Sequence, residues 1–135
     1  MTRSLLFVDD FQDTRETLGE LLAMEGWDVR TAGSGSEAIA HMEERHALII
    51  WIDEDLYDFR GIDLAFHLKA IVEKRYPGEK CVTIAVTGFY TPDEKVELPG
   101  FDHVVSKPVD FKKIDNLLAK YCAQPQTKNP DLGLP

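Results

Sequence analysis

The sequence predicts an α/β fold, a single doubly wound parallel sheet of five strands with helices on both faces. Three observations predict it. Short apolar runs of strand length alternate five times with segments of helical periodicity. The third run, "ALIIWID" (47–53), is too apolar to leave a wet face, which suits the middle of a parallel sheet covered on both sides. Acids, a hydroxyl and a lysine stand where the runs end, at the carboxyl edge where such sheets carry their chemistry.

Each element has its own signal. "SLLFVDD" (4–10) is a buried strand ending in acids. Residues 12–26 space Thr14, Leu18, Leu21, Leu22 and Met24 as one helix face, with Gly26 as a stop. "WDVRTAG" (27–33) alternates Trp27, Val29 and Thr31, a strand whose faces differ in burial. Ser34 or Ser36 caps a helix that runs through Arg45 with Ala38, Ile39 and Met42 inward. After the third strand, residues 61–78 form a helix with Leu64, Leu68, Ile71 and Val72 as its stripe, ended by Pro77 and Gly78. "CVTIAVTG" (81–88) is a fourth buried strand. Residues 91–98 form a short helix cut off by Pro99 and Gly100, and "DHVVS" (102–106) is the fifth strand. The last helix, 110–122, carries Phe111, Ile114, Leu118 and Tyr121 on one face. Residues 1–122 make one domain, and 123–135, with three prolines and no periodicity, a loose tail or linker.

Composition narrows the function classes. A net charge of −9 argues against nucleic acid as a partner, because phosphate binding needs a basic face. No apolar run approaches the roughly 20 residues needed to cross a bilayer, and the N-terminal run is too short for a signal peptide. Cys81 and Cys122 are isolated thiols without metal-ligand spacing, so a reduced, cytoplasmic protein is expected. His41, His46, His67 and His103 are scattered over four elements and show no ligand spacing either.

The chemistry lies at the strand ends. Asp9 and Asp10 end the first strand, Asp53 the third, Thr87 the fourth and Lys107 the fifth. Taken singly, each has an ordinary reading: a strand-end turn for the acids, a β-branched strand residue for Thr87, a solvated lysine for Lys107. Taken together they form a set. Clustered carboxylates repel one another, and a hard divalent cation with oxygen ligands relieves them. A carboxylate can also attack phosphorus, while a cation, a lysine and a hydroxyl stabilise the charge on the transferring phosphoryl oxygens. The inventory therefore reads as Mg²⁺-assisted phosphoryl transfer onto an aspartate. Trp51 is read as core, although strand parity puts it on the same side as Asp53.

"LLFVDD", "IIWID", "AVTG" and "VVSKP", in this order, resemble the receiver domain of two-component response regulators, the CheY-like fold, over about residues 3–122. The resemblance implies the strand order 2-1-3-4-5. It implies that Asp9 and Asp10 hold Mg²⁺ and that the phosphoacceptor ends the third strand. A glycine usually follows that acceptor by eight residues, and Gly61 stands eight after Asp53, which selects Asp53 over Asp55 and Asp58. The resemblance further implies that the backbone carbonyl of Asp55 completes the metal ligands with Asp53, that Thr87 is the switch hydroxyl and that Lys107 is the lysine of the family pattern. The implied partners are a histidine kinase or histidine phosphotransfer protein, a downstream protein target and, weakly, a second copy of the chain. Two departures stand out. The usual Met-Pro pair after the acceptor is missing, with Tyr57 and Asp58 in that stretch, and the aromatic switch position three before the lysine is Val104.

Two other readings fit parts of the sequence. "IIWIDEDL" contains the hydrophobic strand and Asp-x-Asp of haloacid-dehalogenase phosphatases, but a strand and an acidic pair precede it here. A phosphorylation-independent receiver, used only as an interaction module, is the other. The chain is expected to be a non-enzymatic phosphoacceptor that catalyses only its own phosphoryl transfer and dephosphorylation and signals through protein contacts.

Overall fold

The computed structural model describes residues 3–54, 56–88, 98–107, 109 and 111–122. Asp55, Phe89, Tyr90, Pro108, most of the helix expected over 91–98 and the expected tail 123–135 lie outside them. The chain order is β1 (Ser4–Val8), α1 (Gln12–Met24), β2 (Asp28–Ala32), α2 (Gly35–Glu44), β3 (Ile49–Asp53), α3 (Gly61–Arg75), β4 (Val82–Thr87), β5 (His103–Ser106) and α4 (Phe111–Cys122).

The five strands form one parallel sheet in the order β2-β1-β3-β4-β5. All five residues of β3 are buried, as a central strand with helices on both faces requires. One core, around Leu6, Val8, Ile50, Ile52, Leu64 and Leu68, packs the sheet against α2 and α3. The other, around Phe7, Leu22, Trp51, Ile84, Ile114 and Leu118, packs it against α1 and α4. Each isoleucine of β3 is fully buried, which stabilises the fold by about 1.5–3 kcal/mol per side chain. Trp51 sits in the second core at 3% exposure, on the face that leads to Asp53.

The helix boundaries have local causes. The cap of α2 is Ser34, whose Oγ accepts the Glu37 N–H at 3.1 Å, while Glu37 Oε1 reaches back to the Gly33 N–H at 2.9 Å. Ser36, the other capping candidate, is otherwise engaged. Helix α1 stops at Met24, and Gly26 turns the chain at φ 96°. Met24 is a correction to the expected apolar face: it is 81% exposed, because the inward stripe through half-buried Thr14 and Leu18 and buried Leu22 does not pass through position 24. Helix α3 ends at Arg75 rather than 78, since Tyr76, the residue before Pro77, leaves the helical region at φ −132°; its hydroxyl then donates to Met42 O at 2.6 Å.

Candidate functional site

Parallel sheets of this order reverse direction between β1 and β3, and a crevice opens at that point beyond the strand ends. Asp9 and Asp10 follow β1, and Asp53 is the last residue of β3. Asp9 extends the ladder of β1 by donating its N–H to Ala32 O at 3.0 Å, and its Oδ1 accepts the Phe11 N–H at 2.9 Å. That turn starts α1 and fixes the carboxylate over the sheet edge. Arg15, one turn into α1, donates to Asp9 O at 2.9 Å.

One carboxylate oxygen from each of Asp9, Asp10 and Asp53 lies within 4.8 Å of the others. Asp9 and Asp53 are buried, and Asp10 is exposed. Burial, and then the neighbouring charges of Asp53 and Asp10, push the Asp9 carboxyl above its ordinary value despite the Phe11 N–H and the Lys107 charge. Three oxygen donors whose repulsion Lys107 offsets only in part fit a small divalent cation such as Mg²⁺, which takes oxygen ligands and needs few from protein.

The strand-end rule brings two more groups to this edge. Lys107 Nζ lies 3.3 Å from Asp53 Oδ1. Its backbone N–H bonds Thr87 O at 2.8 Å, so the lysine is carried by the pairing of β5 with β4. Thr87 is 1% exposed and sits one residue beyond Val86, which pairs with Asp53. The cavity here is about 740 Å³, lined by Asp9, Asp10, Asp53 and Lys107 with Phe7 and Trp51 below them. Asp55 lies outside the described residues.

The other acid of this loop has gone elsewhere. Asp58 is exposed and turned onto the start of α2, where Oδ1 accepts the Gly35 N–H at 2.9 Å and Oδ2 accepts both the N–H and the hydroxyl of Ser36 at 3.0 Å. Slight desolvation pushes its carboxyl up, and these donors together pull it below the usual carboxylate range. Gly61 gains a reason for its spacing: a Cβ there would stand 3.0 Å from Glu54 Cα, so the start of α3 closes directly onto the residue after Asp53. Sequence reasoning missed the roles of Arg15 and Asp58, for which no short-range pattern exists. Phe11, 61% exposed beside the cluster, was also missed.

Comparison with known proteins agrees with this fold. The family model of the response regulator receiver domain matches residues 5–119. The polar-differentiation response regulator DivK of Brucella ovis is 26% identical over 123 residues, covering 90% of this chain and 97% of the relative. A CheY-like response regulator receiver domain from Methylobacillus flagellatus superposes with a TM-score of 0.74 at 28% identity, over 89% of this chain and 98% of that one. The receiver domain of Saccharomyces cerevisiae Ssk1, solved with the histidine phosphotransfer protein Ypd1, shares the fold with a TM-score of 0.79 at 21% identity, over 94% of each chain.

Proposed function

This chain belongs to the response regulator receiver domain family, and from that premise we propose that it takes a phosphoryl group from a phosphohistidine donor onto Asp53. The observation that carries the proposal is the pairing of a buried Asp53 with Lys107 at 3.3 Å inside a three-carboxylate cluster. An Asp53 oxygen attacks phosphorus, the bond from phosphorus to the donor nitrogen breaks, and the imidazole leaves with the electron pair. Lys107 balances charge on the acceptor and then on the phosphoryl oxygens, and the Thr87 hydroxyl closes on the same oxygens. Asp9 and Asp10 with Asp53, and the Asp55 carbonyl that the family resemblance adds, would hold Mg²⁺. When bound, it would supply positive charge to offset that of the phosphoryl oxygens near these acids.

The donor class is a histidine kinase or a histidine phosphotransfer protein, the kind of partner Ssk1 has in its complex with Ypd1. Signalling follows if the phosphoryl group draws Thr87 and Lys107 inward and shifts a two-state equilibrium, read out by a downstream protein. Among the described residues no helix is long and apolar enough to cross a membrane; a cytoplasmic location is part of the proposal. The family match over 5–119 replaces the haloacid-dehalogenase reading of "IDEDL". The test is incubation with a small acyl phosphate, with Mg²⁺ and with a chelator. The proposal expects stoichiometric labelling that needs Mg²⁺ and no turnover of simple phosphate esters. A chain that binds partners but never labels would be a phosphorylation-independent interaction module instead.

A further inference from the structure

We propose that a cavity in the β3–α3 loop, residues 54–60, is a binding site for a guanidinium group, held by the Glu54 carboxylate beside the Tyr57 ring. The site is separate from the three-carboxylate cluster and does not depend on phosphoryl chemistry at Asp53. Glu54 continues the β3 ladder by donating its N–H to Val86 O at 3.0 Å, so its side chain leaves on the face opposite Asp53. It runs over the start of α3, where a Cβ on Gly61 would stand 3.3 Å from Glu54 Cγ. There it lines a cavity of about 360 Å³ with Leu56, Tyr57, Asp58, Phe59 and Arg60.

Among the described residues of this wall, Glu54 carries the orphan group. Its Oε1 is shut off from solvent and has no hydrogen-bond partner, a rare and costly state for a carboxylate oxygen. The other acid is already engaged, since Asp58 accepts from Gly35 and Ser36. Leu56 is buried and Phe59 packs against the same core, so this side of the wall is held in place. Tyr57, by contrast, is 79% exposed and offers an open aromatic face.

These groups select the ligand. One free carboxylate supplies too few oxygens for a divalent metal, and an anion would face both acids. A guanidinium brings N–H donors in a fork that matches a carboxylate, and a plane that stacks on an aromatic ring. The last torsion of a glutamate is soft, so Oε1 can turn to a donor in the cavity. The volume is at the small end for ligand pockets, enough for one such group on an alkyl stem. Arg60 is the intramolecular rival. It stands exposed at the N-cap of α3 and leaves Glu54 Oε1 unpaired.

The test is titration of the full chain with methylguanidinium and, separately, with arginine blocked at both ends as in a peptide, read by backbone amide shifts. Saturable shifts should centre on Glu54, Tyr57 and Gly61. Glu54→Gln keeps the shape and removes the charge; it should weaken binding about ten-fold, as expected for loss of a charged hydrogen bond. Tyr57→Ala, at an exposed position, should weaken it roughly two- to five-fold. Tighter binding of the blocked arginine assigns the site to an arginine side chain of a protein, and equal binding to a free guanidine. Shifts centred on Asp10 and Phe11 would put the cation in the three-carboxylate cluster and overturn the proposal. Binding that Glu54→Gln leaves unchanged overturns it too, as does the absence of saturable binding. Arg60→Ala should strengthen binding by removing a like charge from the rim. If it instead lowers the melting temperature in the wild-type background and not in Glu54→Gln, Arg60 is the occupant and the proposal falls.

Discussion

Asp53 and Asp58 stand five residues apart on one stretch of chain and have opposite surroundings. Asp53 is 5% exposed, faces two other carboxylates and has a lysine at 3.3 Å. Asp58 is exposed and saturated with hydrogen-bond donors from the start of a helix. The contrast teaches that a carboxylate becomes chemically useful where its neighbours leave it short of positive charge. Donors have settled Asp58, whereas the cluster at Asp9, Asp10 and Asp53 still has room for a cation and for a phosphoryl group.

The largest effect that sharpens this comparison is on labelling. Asp53→Asn should take up no phosphoryl group at saturating Mg²⁺, whereas Asp58→Asn should label fully; intact mass after reaction checks both. Cation affinity comes next. Asp10→Ala removes an oxygen from the cluster and should cost about ten-fold or more in Mg²⁺ affinity, clearly more than Asp58→Ala; equal affinities by Trp51 fluorescence would break the distinction.

Packing beside Asp58 gives a smaller change. Gly35→Ala forces a methyl against the Phe59 ring, and overpacking of this kind should cost about 1–3 kcal/mol in denaturant unfolding. The smallest effect is a pH dependence of opposite sign at the two places. The Asp9 carboxyl is raised from 3.8, so the folded chain binds protons more readily there than the unfolded one. Stability is therefore lost as pH rises through that window, and in the absence of metal Asp9→Asn should melt higher than wild type at neutral pH, with the advantage vanishing near pH 3.8. The Asp58 carboxyl is lowered from the same 3.8. Its contribution is present above that value and fades as pH falls through its depressed folded-state value, so Asp58→Asn should lose stability at neutral pH and converge with wild type in acid.

How much of this was legible in the sequence follows from the range of each interaction. Strands β1, β3 and β4 were readable because continuous apolar runs mark buried parallel strands, and β3 has no exposed position to break its run, whereas β2 showed only an alternation. The α3 boundary ran long because the residue before a proline leaves the helical region, so the helix stops at Arg75, ahead of Tyr76 and Pro77. Met24 misled because it is apolar without being in phase. The nearness of Asp9, Asp10, Asp53 and Lys107 to one another was legible from the rule that strand ends in such sheets share one edge. The choice of Asp53 within its acidic run needed the spacing to Gly61, whose physical basis, contact with the Glu54 backbone, only the folded chain displays. Asp58 was illegible in principle, since its donors belong to a helix whose position beside the loop is a product of the whole fold.

The most direct test of the account is to locate the phosphoryl group by peptide mapping after wild-type protein is incubated with Mg²⁺ and a small acyl phosphate. The account predicts one phosphoryl group per chain, on Asp53, with Asp9, Asp10, Asp55 and Asp58 unmodified. An adduct on Asp55 or Asp58 with Asp53 untouched, or no adduct in protein that has bound Mg²⁺, would contradict it.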